Sequence, residues 1–195
     1  MRRDPAVRRR GAPAGAVPDA DAALSISVEL VSGRGRDWWP RPGRVFAAHR
    51  QHTFAQLADA VDVAFGRWDR AHLHVFVLPA GMDVSWASWR AGPAFRNTRD
   101  GRSARLDQLR VGERFAYVFD LGQDWTHLCT VRSPESPTVD PSLPPAPVRG
   151  WGDLPDQYGR GRPDDEPEAV VPRGSSALLD DLPPILPCWG PRRAA

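Results

Sequence analysis

The chain has 195 residues, 26 basic and 24 acidic, with a formal net charge of +2 and two cysteines. Every basic residue is arginine, which excludes lysine Schiff-base chemistry and a P-loop lysine, while Cys129 and Cys188 lack the CxxC spacing of a structural zinc site or the density of a disulfide scaffold. Charge is unevenly spread: residues 1–10 hold five Arg and one Asp, residues 90–114 seven Arg and three acids, and residues 140–170 seven acids and three Arg, so a basic loop and an acidic tail are able to pair within one molecule.

Residues 1–22, MRRDPAVRRRGAPAGAVPDADA, have no apolar period and are expected to be disordered. No apolar h-region follows the arginines and no stretch is long enough to span a bilayer, which predicts a soluble, cytoplasmic protein with no membrane partner. In LSISVELVSG, residues 24–33, Leu24, Ile26, Val28 and Leu30 alternate with Ser25, Ser27 and Glu29, the pattern of a half-buried strand. RGRDWWPRPG is turn chemistry, and GRVFAAHRQ returns as the second strand of a long-loop hairpin. TFAQ at Thr53 is a capping box, and Phe54, Leu57, Ala58, Val61, Ala64 and Phe65 follow at spacings of three and four, with Gly66 placed for a left-handed cap. This is the main helix.

After the link RWDRA, HLHVFVL alternates as a third strand, with His72, His74 and Phe76 on one face and Leu73, Val75 and Val77 on the other. The aperiodic stretch from PAGMDVSWASWRAGPAF to about Gly101 is expected as a long surface loop. RLDQLRVGE reads as a short helical turn and a glycine break, after which ERFAYVFD and WTHLCTVR form a hairpin around LGQD. Beyond Pro134 the chain turns Pro-rich and is expected as an extended, partly disordered tail, acidic and Pro-rich over residues 163–195. Within it, WGDLPDQYGR reads as a docking segment, with Trp151 and Tyr158 packing on the domain and Pro155 stiffening the chain between them. The order β-β-α-β-(loop)-β-β predicts an α+β fold over residues 23–162, a mixed β-sheet with one main amphipathic helix packed on it, as in a β-grasp-like roll.

Three stretches, TFAQLADAVDVAFGRWDRAHLHVF, GERFAYVFDLGQDWTH and WGDLPDQYGR, in that order and spacing, resemble the plasmid pRiA4b ORF-3-like family over roughly residues 24–162. The resemblance implies a bacterial protein of a kind found on plasmids, beside transposons and in chromosomes, without an established biochemical function. Leu121 and Gln123 depart from a common form of the pattern, and Gln123 removes a carboxylate from the turn.

Four candidate residues carry possible metal chemistry. His72 and His74 project from one strand face about 7 Å apart, a spacing that suits two ligands of one ion. With LGQD as the loop, Asp120 pairs across from Trp125, Val118 and His127 become neighbours, and Asp120 and His127 are diagonal partners in which the carboxylate is able to fix the imidazole tautomer. Together, His72, His74, His127 and Asp120 would form a site for a divalent transition metal such as Zn, Mn or Fe, and Asp120 and His127 are the catalytic candidates. Read as a turn instead, Gly122 supplies positive φ while Asp120 and Asp124 accept backbone N–H bonds. A second candidate surface is the basic loop, in which Trp86, Trp89, Arg90, Arg96, Arg99, Arg102 and Arg105 interleave stacking and phosphate-contacting side chains. The first reading is therefore an accessory or interaction module with a protein or nucleic-acid partner; the alternatives are a metal-dependent hydrolase or nuclease-like enzyme, and nucleic-acid binding through residues 86–114.

Overall fold

A computed structural model of the chain describes residues 22–79, 82–85, 98–134 and 138–159. The expectations for residues 1–21 and 163–195 fall outside these. The strands are β1 (Ala23–Gly33), β2 (Arg36–Asp37), β3 (Gly43–His49), β4 (His74–Leu78), β5 (Met82–Ser85), β6 (Thr98–Asp100), β7 (Arg114–Phe119), β8 (Trp125–Arg132) and β9 (Ala146–Trp151), with one α-helix, α1 (Phe54–Ala64), after β3. They form one mixed sheet in the order β6-β5-β4-β7-β8-β1-β3-β9, with β2 paired to β1. Only β5 and β6 pair in parallel among the described strands. The expected α+β sheet with one main helix is observed.

The alternation in β1 has a direct structural consequence. Leu24, Ile26, Val28 and Leu30 enter the core beneath α1 together with Phe46, Phe76, Phe115, Tyr117 and Phe119. From the helix, Phe54, Leu57, Ala58 and Val61 bury against this face, and the Phe54 ring meets Phe76 edge-on at 5.0 Å. Each such side chain contributes about 1.5–3 kcal/mol of burial free energy. Both halves of the capping box form: Thr53 Oγ1 accepts from the Gln56 amide at 3.2 Å, and the Thr53 amide donates to Gln56 Oε1 at 2.8 Å. Gly66, at φ +69°, turns the chain out of the helix, a left-handed conformation that glycine adopts without a Cβ penalty. On the opposite sheet face, Val75, Val77, Ala116 and Val118 form a smaller apolar cluster.

Two expectations require correction. The stretch expected as a long loop carries β5 and β6 at its ends, tied by the Gly101 amide donating to the Ser85 carbonyl at 2.7 Å. The stretch expected as an extended tail contains β9, which pairs antiparallel with β3 and becomes the sheet's edge. Its sequence, APVRGW, has no alternation because all six residues are exposed, so no buried face imposes a period.

Candidate functional site

The β7–β8 hairpin sets Phe119 opposite Trp125 and Tyr117 opposite His127. The connecting loop is therefore residues 120–124, and the register differs by one from the expected pairing of Asp120 with Trp125 and Val118 with His127. The cause is the conformation of two aspartates. Asp120 and Asp124 take left-handed backbone angles, φ +52° and +55°, whereas Gly122 was expected to supply the positive φ. Short polar side chains tolerate that region because they hydrogen-bond locally: Asp120 Oδ1 accepts from the Gly122 amide at 3.1 Å, and Asp124 Oδ1 accepts from Thr126 Oγ1 at 3.0 Å. A one-residue register change exchanges the faces of a strand, so the expected diagonal contact between Asp120 and His127 gives way to a different partner for each.

Asp120 turns its other carboxylate oxygen to His72, with Oδ2 3.6 Å from Nδ1. His72 Nε2 lies 2.8 Å from the Tyr158 hydroxyl, which donates to Asp69 Oδ2 at 2.7 Å. That bond, first among its causes, holds the Asp69 carboxyl below its ordinary value. Gln157, fully buried, clamps the Asp69 backbone from both sides, donating to its carbonyl at 2.8 Å and accepting from its amide at 3.1 Å. Tyr158 also packs edge-on against Trp68, with ring centroids 5.1 Å apart. Residues 152–158 thus form a strap fastened to the segment after α1. Trp151 donates Nε1–H to the Arg41 carbonyl at 2.9 Å and stays partly exposed.

A second set of polar groups lies deeper, where the end of α1 meets β7 and β8. Asp62 is buried and accepts at 2.8 Å from the Tyr117 hydroxyl. Burial pushes its carboxyl up to about 7, against the opposing influence of Tyr117 and Arg67. The Arg67 guanidinium is 3.8 Å from the centroid of the Trp125 ring, and the residue is only 2% exposed. Burial lowers it to about 10, although the negative charges of Asp62, Asp156 and Asp120 counteract that shift. Among the described residues, none accepts a hydrogen bond from Arg67 Nε, Nη1 or Nη2, or from Trp125 Nε1. His127 places Nδ1 3.2 Å from the Tyr117 carbonyl, so Nδ1 carries the proton and Nε2, which has no partner among the described residues, presents a lone pair. Burial, then the Arg67 charge, lower His127 to about 3, so its ring is neutral at neutral pH.

The expected metal set is not gathered. His72 meets Asp120, but the Tyr117 ring stands between His74 and His127, with centroids 5.8 Å and 5.6 Å away. Among the described residues, no group of three or more His, Cys, Asp or Glu side chains is arranged to hold a metal ion. Trp86, Trp89, Arg90 and Arg96 lie outside the described residues. Arg99, Arg102 and Arg105 are exposed around β6 and the following turn, where Arg105 donates to the Gln51 carbonyl at 2.8 Å.

A family model for plasmid pRiA4b ORF-3-like proteins matches residues 25–157, well over half of the chain. The chain belongs to the plasmid pRiA4b ORF-3-like family. It is also similar in fold to a solved structure, the protein of unknown function MM3350 from Methanosarcina mazei Go1, with a TM-score of 0.51 and 19% identity over 66% of this chain and 70% of that one. No curated protein matches. No helix among the described residues of this pRiA4b ORF-3-like protein is long and apolar enough to cross a membrane.

Reading the residues alone missed Asp62, Arg67 and Asp69. Asp62 was legible in principle, because it stands four residues after Ala58 and one after Val61, inside the apolar stripe, where a charge needs a partner. Arg67 and Asp69 sit in the aperiodic link RWDRA and carry no such signal.

Proposed function

We propose that this pRiA4b ORF-3-like protein is a non-catalytic binding module whose Arg67 cradle receives a carboxylate group from a partner molecule. The observation that carries this reading is the buried Arg67 guanidinium, which has no hydrogen-bond acceptor among the described residues. A buried donor left unsatisfied costs about 1–3 kcal/mol, and more when it is charged. The contact with Trp125 returns about 2 kcal/mol of cation–π attraction but satisfies no N–H. A planar carboxylate matches the guanidinium's parallel N–H fork and binds it bidentately. The nearby Asp62, Asp120 and Asp156 charges disfavour a doubly charged phosphate, which selects the single charge. His127 Nε2 adds an acceptor for a hydroxyl or amide N–H beside that carboxylate. The strap of residues 152–158 covers the approach, since Asp156 acts on Arg67 and Gln157 is fully buried. The plasmid reading frame in the family's description supports an accessory role beside mobile elements.

The test is thermal unfolding in sodium acetate, sodium phosphate and sodium chloride at matched ionic strength, with acetate as the probe. Acetate raises the Tm saturably in the unmodified chain and not in Arg67→Met. An equal response to all three salts, or an acetate response retained by Arg67→Met, overturns the reading.

A further inference from the structure

Among the described strands β9 ends the sheet, and the chain continues beyond the described Gly159 with a strongly acidic stretch. All six β9 residues are exposed. An open groove of about 420 Å³ runs along the strand, lined by Arg44, Val148, Arg149, Gly150 and Trp151 among others, with no acidic residue in its lining. Val148 is 56% exposed and Trp151 38%. Arg44 crosses to this edge, donating to the Trp151 carbonyl at 2.9 Å. Among the described residues the edge therefore combines a backbone ladder open on one side, two arginines and two apolar side chains, the composition that strand addition uses. A second copy of this chain is a poor occupant, because antiparallel β9–β9 pairing would bring Arg149 and Arg44 of both copies together without an acid on either strand.

We propose that residues 164–171 of this same chain, DDEPEAVV, add to the sheet along β9 as a regulatory or stabilising edge strand. Direction and length both permit it. The described chain ends at Gly159, against the Arg34 side chain in the turn after β1. This is the end of the sheet at which Gly43 pairs with Trp151 and Ser32 with Thr126. From β1, the position outside β9 is three strand spacings away, about 15 Å. About five extended residues cover that distance. The acidic residues Asp164, Asp165 and Glu166 then arrive at the Trp151 end beside Arg44, and the chain continues antiparallel to β9. Pro147 brings no N–H to a ladder and Pro167 none from the other side, so residues 168–171 pair with residues 148–151. In that stretch, Glu168 supplies charge opposite the arginines, and Val170 and Val171 have the branching that strands favour.

Disulfide trapping in the full chain tests this. With Cys188→Ser, Val148→Cys and Val171→Cys combined, mild oxidation is expected to close an intramolecular bridge. Reversing Asp164, Asp165, Glu166 and Glu168 to Arg should slow closure severalfold. A control with Ala194→Cys replacing Val171→Cys reports random encounter, and equal closure rates in the two proteins overturn the proposal. Bridges between two chains through Val148→Cys alone assign the edge to a second copy and also overturn it. Amide exchange provides a measurement free of cysteines: β9 amides exchange severalfold faster in Val170→Pro than in the unmodified chain, and unchanged exchange sinks the inference.

Discussion

Asp62→Asn isolates the cost of burying one carboxylate, because asparagine keeps an oxygen for the Tyr117 hydroxyl and removes only the charge. The folded carboxyl stands at about 7 against an ordinary value of 3.8. Below pH 3.8 both folded and unfolded chains hold the proton and the group contributes nothing to the pH dependence. Between 3.8 and about 7 the unfolded chain releases its proton first, so stability falls as pH rises. Above about 7 the loss is complete, at about 4 kcal/mol for a shift of this size. Removing the charge also removes a partner that eases the burial of Arg67, which returns a part of the gain. A net stabilisation of about 2 kcal/mol at pH 8 is therefore expected for Asp62→Asn, raising the Tm by roughly 4–8 °C in a domain of this size, with no gain near pH 4. Thermal unfolding followed by circular dichroism at pH 4, 5.5, 7 and 8.5 reads this directly. Destabilisation that grows from pH 4 to pH 8.5 would refute the reasoning, because it would make Asp62 a net-favourable ion partner of Arg67 whose attraction outweighs desolvation.

Three further outcomes follow from the same geometry. Tyr158→Phe removes the hydroxyl shared by Asp69 and His72, and about 1 kcal/mol of stability should go with it; faster amide exchange confined to residues 152–158 is the expected signature, and exchange spread evenly over the sheet would contradict a local strap. Gly33→Ala places a Cβ within the Trp125 ring, which is held on its other contacts by the core and Arg67, so a loss of about 1–3 kcal/mol in urea unfolding is expected; a neutral result would show that Trp125 moves freely. Zinc titration and EDTA should both leave the Tm unchanged, since Tyr117 separates His74 from His127; a saturable rise at one zinc per chain would show that the histidines converge after all.

What was legible in the sequence follows from whether burial imposed a period. Leu24 to Leu30 and the stripe from Phe54 to Phe65 declare β1 and α1 because each sends a row of apolar side chains into the core, although β1 is not the half-buried strand expected, since Ser25 and Ser27 on its other face are buried too. Thr53 and Gln56 mark the helix start with side-chain bonds that are local. β9 has no buried face and so no period. The hairpin register turned on Asp120 and Asp124 adopting left-handed angles, a choice stabilised by Gly122, Thr126 and the backbone of Leu73 rather than by residue type alone. The Asp69–Gln157 clamp joins residues 88 apart, and nothing near Arg67 announces that Trp125 and the strap will enclose it.

The arrangement of Asp62 and Arg67 bears on whether the cluster is built for packing or for binding. A structural ion pair would join the two directly, since both are buried and a guanidinium and carboxylate in contact offset much of each other's desolvation. Instead Asp62 accepts from Tyr117, and the Arg67 guanidinium sits over the Trp125 ring with its three nitrogens unbonded among the described residues. Both groups consequently shift toward neutrality, the acid upward and the guanidinium downward. Local cation–π attraction positions the guanidinium without using its N–H groups, and that leaves its hydrogen-bonding edge for an acceptor brought from outside. Packing alone would be served better by an apolar side chain of the same volume, which would rest on Trp125 without the burial cost of a charge.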